Sequence, residues 1–286
     1  MTAMPHFPTP LIDAATLHGL MAAGTPLVLL DATFDLTDPA AGERAYAQGH
    51  LPGALYVHLD RDLSAPKTGR NGRHPLPGRE TFAATAGRLG VTPVTPVVVY
   101  DRQGGMFAAR VWWMLRWLGH PLVAVLDGAA NAWAEAGLPL ESATVVPRGA
   151  PTYPAREPLV AMLDAGTLQQ QLGKVRLIDA RAPERFRGDI EPLDPVAGHI
   201  PGALNRPFTL NLGSNGRFKP AARLREEFAL LLAGRPPAEA VHQCGSGATA
   251  CHNLLAMEAA GLTGAALYPG SWSEWCADPA RPVAKG

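Results

Sequence analysis

The sequence predicts an α/β protein built from two copies of one plan, each a mainly parallel sheet flanked by helices. Three observations carry this. Motifs recur in one order at nearly one offset, short apolar runs alternate with longer amphipathic ones, and a proline-rich stretch divides the chain near its middle. The recurrence is explicit. Leu29-Leu30-Asp31-Ala32 returns as Leu177-Ile178-Asp179-Ala180, 148 positions on. Gly49-His50-Leu51-Pro52-Gly53-Ala54-Leu55 returns as Gly198-His199-Ile200-Pro201-Gly202-Ala203-Leu204, 149 positions on. Val97 to Asp101 aligns with the approach to Cys244 at an offset of 143, and Gly128 and Trp133 align with Gly270 and Trp275 at 142. Ordered motifs at a nearly constant spacing mark a duplicated unit.

The elements follow in order. Leu27 to Leu30 and Val97 to Tyr100 are short unbroken apolar runs, suited to strands buried on both faces. Met106 to Leu118 is longer, with Val111, Trp112, Leu115 and Leu118 at helical spacing, and Leu122 to Leu126 reads as the next strand. In the second copy Val175 to Ile178, Ala240 to His242 and Ala265 to Tyr268 take the strand parts. Strands alternating with helices predict crossover connections and hence parallel pairing. The expected division is a first domain over 1–140, a linker over 141–158 marked by Pro147, Pro151, Pro154 and Pro158, and a second domain over 159–286.

Composition bounds the partners. The 286 residues, 47% hydrophobic and 17% charged, suit two well-packed domains rather than a disordered chain. Lys+Arg and Asp+Glu each number 25, so no basic surplus invites nucleic acid or an anionic membrane. No apolar run approaches the roughly 18 residues that span a bilayer. Met1 to Pro10 holds three prolines and no Lys or Arg, unlike a secretory signal. The three cysteines, Cys244, Cys251 and Cys276, are odd in number and sparse, which points to a reducing compartment, the cytoplasm.

Chemistry concentrates at Cys244-Gly245-Ser246-Gly247-Ala248-Thr249, between the Ala240 strand and a helical stretch around Leu254 to Met257. A Gly-rich strand-to-helix turn aims successive backbone N–H groups into one concavity, and the helix N-terminus adds its positive end. Such a cup favours a thiolate over a thiol and would later hold a persulfide anion. The plainer account is a small buried cysteine on a turning loop. For Cys251 and Cys276 packing is the expectation. No metal is expected, because Cys-x-x-Cys is absent and consecutive Cys251 and His252 diverge around a helix.

These motifs together resemble the rhodanese superfamily, in its tandem form of the 3-mercaptopyruvate and thiosulfate sulfurtransferase type, over nearly the whole chain. The carriers are the uncharged Cys244–Thr249 loop, the two Gly-His-hydrophobic-Pro-Gly-Ala segments and Gly270-Ser271-Trp272-Ser273-Glu274-Trp275. The resemblance implies two rhodanese-like domains with catalysis in the second. It implies a Cys244 persulfide, loop residues Gly245, Gly247, Ala248 and Thr249 around the donor, and Arg185 on the donor's anionic end. It implies a relay of Ser246 with His74 and Asp60, which the residues alone would leave as loop positions. The implied partners are a small anionic sulfur donor and a thiol acceptor such as thioredoxin or glutathione, with no cofactor. Asp101 stands where the first copy would need its cysteine, so that loop is expected to be inert.

Two departures and several neighbours complete the expectations. The family's mercaptopyruvate enzymes carry a second arginine in a Pro-Glu-Pro-Arg stretch; here Glu191-Pro192-Leu193-Asp194 stands instead, with Arg187 nearby. His50 and His199 are expected to serve the repeated turn, Ser271 with Glu274 has capping-box spacing, and Trp272 and Trp275 are expected in the core. A cysteine phosphatase would need an arginine six positions after its cysteine, and residue 250 is alanine. A non-catalytic binding module would tolerate at Cys244 the kind of change seen at Asp101.

Overall fold

A computed structural model describes residues 7–286; the expectation for the N-terminal segment falls mostly on residues outside that range. In the first half the strands are β1 (Leu11–Ile12), β2 (Val28–Asp31), β3 (Ala54–Tyr56), β4 (Val97–Tyr100) and β5 (Val123–Leu126). The helices are α1 (Ala14–Ala22), α2 (Ala41–Gln48), α3 (Leu59–Asp62), α4 (Arg79–Arg88), α5 (Ala108–Trp117) and α6 (Ala129–Glu135). The second half supplies β6 (Ala161–Met162), β7 (Arg176–Asp179), β8 (Leu204–Asn205), β9 (Ala240–Gln243) and β10 (Ala266–Leu267). Its helices are α7 (Ala165–Gln171), α8 (Pro183–Arg187), α9 (Ala221–Leu232), α10 (Thr249–Ala259) and α11 (Ser271–Trp275).

The two sheets have one order written twice, β1-β5-β4-β2-β3 and β6-β10-β9-β7-β8, each five-stranded. Every pairing between these strands is parallel. All four residues of β4, β5 and β9 are buried, as strands covered on both faces must be, which is why these runs lack polar alternation. The copies agree in detail. Asp13 caps α1 by accepting the Thr16 N–H at 2.8 Å, and Asp164 caps α7 through Thr167 at 2.7 Å. Leu29, Leu51, Val98 and Trp133 sit in the first core where Leu177, Ile200, Val241 and Trp275 sit in the second.

The chain forms two compact units, each drawn from several separate stretches. The first compact unit takes the chain up to Leu63, Pro77–Leu159 and Ser214–Phe218; the second takes Ser64–Leu76, Val160–Gly213 and Lys219–Gly286. Within the first unit, the Phe218 N–H donates to Asp127 Oδ1 at 2.8 Å and Arg217 pairs with Glu135 at 2.9 Å. The stretch over 141–158 is hydrogen-bonded to this unit. Tyr153 is buried, its N–H donates to Ala83 O at 3.0 Å and its hydroxyl meets His120 Nδ1 at 3.2 Å. Arg156 and Leu159 N–H groups donate to Leu118 O and Arg116 O, both at 2.9 Å. Prolines donate no N–H, so the bonds from this segment to the rest of its unit come from the residues between them.

Candidate active site

Cys244 directly follows β9, and the loop from it to Ala248 leads into α10. Residues 244 to 248 are all buried, and Cys244 is 2% exposed. The Gly247 N–H donates to Cys244 Sγ at 3.1 Å, so the loop turns back on the sulfur as its glycines suggested. Gly247 has φ +80, and a Cβ there would stand 2.3 Å from Pro269 O; both conformation and space demand glycine. The loop backbone is clamped by α11. Ser271 Oγ accepts the Cys244 N–H at 3.0 Å, and the N–H groups of Trp272 and Ser273 donate to Cys244 O and Gly245 O at 3.0 and 2.9 Å.

His74 lies in the Ser64–Leu76 segment of this same unit, with Nδ1 2.7 Å from Ser246 Oγ; both residues are 5% exposed. The segment is closed on itself by the Ala65 N–H donating to Pro75 O at 2.9 Å. The expected histidine–serine pairing is therefore formed. Asp60 lies on α3 of the first unit, where its N–H donates to His58 Nδ1 at 3.1 Å.

A cluster of arginines and carboxylates surrounds the loop. A Cβ built on Gly245 would lie 2.6 Å from Arg73 Nη2 and 3.4 Å from Arg185 Nη1, so glycine here makes room for two guanidiniums. Arg185 Nη2 donates to Glu191 Oε1 at 2.6 Å and reaches Asp194 at 3.4 Å. Arg73 holds Asp194 through Nε at 2.9 Å and Nη2 at 3.3 Å. Arg181 is 3% exposed, bonds Asp179 at 2.7 Å and lies 4.9 Å from the Trp272 ring centroid. Burial pulls its pKa down, but Asp179, Glu191 and the Cys244 sulfur more than offset that, leaving it raised. Burial likewise raises the Asp194 carboxyl, while Arg73 works to lower it. A pair of charges this poor in water holds only because each is matched and hydrogen-bonded.

The remaining expectations resolve individually. Arg187, the last residue of α8, is about half exposed and pairs with Asp189 at 2.7 Å, a solvated charge. His50 Nδ1 meets Tyr46 O at 2.9 Å and His199 Nδ1 meets Phe186 O at 2.8 Å, each ring stacked on that same aromatic. Trp272 and Trp275 are fully buried, with indole N–H groups donating to Val196 O and Pro282 O. Cys251 Sγ donates to Gly247 O at 3.3 Å. Burial pushes the Cys276 thiol up to about 11, which keeps it protonated and inert at neutral pH. The capping-box reading of Ser271 needs correction. Gly270 is the helix's N-cap; Ser271 has φ 55 and spends its hydroxyl on the Cys244 N–H and on Tyr268 O. The sequence reading names Glu191 and Asp194 only as a departure from the family's second arginine and does not name Arg73 or Arg181 as site residues; the Arg181 position, two residues after the repeated Asp179, carries a local signal.

The first copy shows what an occupied cup looks like. Asp101 Oδ1 accepts the N–H groups of Gln103 and Gly105, both at 2.9 Å. Its Oδ2 accepts those of Phe107 and Ala108 at 2.8 and 3.0 Å. The cradle that would surround a sulfur anion is filled by a carboxylate of its own chain.

Comparison with known proteins gives the family. The family model described as the rhodanese-like domain matches twice, over residues 13–136 and 159–278. The chain is 50% identical over 264 residues to a protein of Pseudomonas aeruginosa named a probable 3-mercaptopyruvate sulfurtransferase, covering 91% of this chain and 93% of that one. It is 34% identical over 277 residues to a thiosulfate sulfurtransferase of Gallus gallus, covering 92% and 90%. Among solved structures, the 3-mercaptopyruvate sulfurtransferase from Leishmania major superposes with a TM-score of 0.84 at 28% identity, over 96% of this chain and 75% of that one. With a clamped cysteine loop in one copy, a carboxylate-filled loop in the other, and family matches over both, the chain belongs to the rhodanese-like family.

Proposed function

We propose that the protein is a sulfurtransferase that moves sulfane sulfur from 3-mercaptopyruvate or thiosulfate through a Cys244 persulfide to a thiol or cyanide. The observation that carries this is the contrast between the two cradles: one is satisfied by Asp101, the other presents Cys244 Sγ to the Gly247 N–H.

The Cys244 thiolate attacks the donor's outer sulfur. With thiosulfate the S–S bond breaks and sulfite leaves; with 3-mercaptopyruvate the C–S bond breaks and its electron pair forms the pyruvate enolate. Cys244 now ends in a sulfane sulfur, whose anion the loop amides of Gly245, Gly247, Ala248 and Thr249 surround. An acceptor thiolate, of thioredoxin or glutathione, or cyanide then attacks that terminal sulfur and releases Cys244 as thiolate. Arg185 orients the donor's anionic end through its planar fork. Ser246 and His74 pass a proton to the enolate, with Asp60 as the orienting carboxylate. The three free, buried cysteines suit a reducing cytoplasm, and no helix of the described residues is long and apolar enough to cross a membrane.

The test is turnover to thiocyanate with each donor, wild type beside Cys244→Ser. A hydroxyl cannot carry sulfane sulfur, so the variant should fall to background with an unchanged melting curve. Substantial activity in Cys244→Ser would move the persulfide to another residue and sink this reading.

A further inference from the structure

We propose that His199 is a positioning residue for donor binding: it closes the neck of the loop whose carboxylates hold Arg185. This rests on the sulfurtransferase reading above, in which Arg185 meets the donor's anionic end.

The two copies differ at this place. In the first, His50 Nδ1 meets the carbonyl of Tyr46, four positions back at the end of the eight-residue α2. In the second, His199 Nδ1 meets the carbonyl of Phe186, thirteen positions back. Both rings stack alike, with centroids 3.9 Å apart and planes at 10° and 12°. The contact is thus kept while residues 188–197 come to lie between its partners. Those residues carry the two carboxylates on Arg185. Glu191 takes Nε and Nη2 at 3.3 and 2.6 Å, and Asp194 lies 3.4 Å from Nη2. The helix here is cut to the five residues of α8, none of them buried. A helix so short and so exposed has little to hold it by itself.

The neck of the loop supplies the hold. Its two end glycines touch: a Cβ on Gly188, at φ +81, would lie 3.0 Å from Gly198 N. Gly198 O accepts from Arg181 Nη2 at 2.8 Å, and the same nitrogen donates to Asp179 at the end of β7 at 2.7 Å. His199 exchanges backbone hydrogen bonds with Ala284, both at 2.9 Å, and the Gly286 N–H donates to Arg187 O at 3.0 Å. His199 therefore joins α8 to a turn that is itself anchored to the sheet. A carbonyl only accepts, so Nδ1 carries the proton and donates it to Phe186 O. At 7% exposure the ring is largely shielded from water that could take over the bond. The tie acts on the residue next to Arg185, and without it the guanidinium's base can shift relative to the cysteine loop.

The experiment is steady-state turnover to thiocyanate with thiosulfate and with 3-mercaptopyruvate. Wild type is compared with His199→Phe, His199→Asn and His50→Phe. Phenylalanine keeps a ring to stack on Phe186 and removes the donor; asparagine places an amide N–H near the Nδ1 position. His50→Phe makes the same loss in the first copy, where no such loop intervenes. Thermal melting verifies that each variant is folded. His199→Phe should raise KM for both donors by about 3- to 10-fold, the equivalent of one lost hydrogen bond, with kcat within about twofold. His199→Asn should recover most of this. His50→Phe should melt about as early as His199→Phe and keep the wild-type KM. An unchanged KM in folded His199→Phe overturns the proposal. An equal KM rise in both phenylalanine variants also overturns it, because the effect would then be one of general stability. So does a fall in kcat at constant KM. A wild type that turns over neither donor overturns the sulfurtransferase reading, and the proposal with it.

Discussion

Replacing Asp101 with alanine should weaken the fold and spare the chemistry. The carboxylate accepts four backbone N–H groups at 2.8–3.0 Å, and three of the donors, Gly105, Phe107 and Ala108, are buried residues. Each buried donor left without an acceptor costs about 1–3 kcal/mol, less where water enters the space the carboxylate vacated. The sum is about 4 kcal/mol, which for a unit of this size lowers its melting temperature by about 10 °C. Asp101→Asn should do nearly as much harm, because an amide offers one acceptor oxygen and turns its NH2 toward donors. Circular dichroism melting gives the first number, and thiocyanate formation at 25 °C, well below the transition, gives the second. If Asp101→Ala melts with the wild type, the carboxylate is not what holds that cradle. If turnover vanishes in the folded variant, the first copy is not inert.

Three further expectations follow from the same geometry. His74→Ala should lower kcat with 3-mercaptopyruvate by about 10²–10⁴-fold, the range for lost acid–base help, and with thiosulfate far less, since sulfite leaves as a stable anion; equal losses would mean that His74 only positions the loop. Arg185→Ala should raise KM for both donors by about 2–5 kcal/mol in binding terms, and an unchanged KM would take the donor's anionic end away from it. Stability should decline as pH falls below about 6.5. Burial depresses His120 to about 4 and His242 to about 3, so the unfolded chain binds protons that the folded one refuses, and each site removes about 2 kcal/mol by pH 5. A melting temperature that stays flat from pH 7 to 5 would show that these rings are not held neutral.

The duplicated plan was legible because buried parallel strands leave an unmistakable apolar signature, as in Val97-Val98-Val99-Tyr100, and because Gly-His-Leu-Pro-Gly-Ala recurs nearly unchanged. Cys244 and its glycines were legible for a local reason: sulfur and turn lie within four residues. What the residues alone left open depends on distance. His74 and Ser246 are 172 positions apart, so only the family resemblance paired them, and nothing in Arg73-His74-Pro75 announces that it belongs to the second compact unit. Ser271 misled because spacing to Glu274 matched a cap, whereas its left-handed backbone aims the hydroxyl at Cys244 instead. Spacing reports which residues share a helix turn and says nothing about a strained φ.

That strain is itself duplicated. Ala129 stands at φ 58 where the second copy has Ser271 at φ 55, and the Ala130 N–H donates to Asp101 O as the Trp272 N–H does to Cys244 O. The backbone clamp therefore exists in both copies, and the hydroxyl on Cys244 N–H is peculiar to the second. The difference has a physical logic. The first loop is organised from inside, by a carboxylate that never leaves. On the proposed function, the second holds the same shape while Cys244 alternates between a thiolate and a persulfide, so a permanent internal carboxylate cannot be its support. Bracing from behind does that work: Ser271 on the Cys244 N–H, Trp272 and Ser273 on the two following carbonyls, and His74 on Ser246 from the far segment. A preorganised cup of donors loses nothing to rearrangement when the charge arrives. On that reading, the step from an inert copy to an active one takes more than exchanging Asp101 for a cysteine. It also needs a prop that the first copy lacks, the Ser271 hydroxyl on the Cys244 N–H, where Ala129 stands in the first copy.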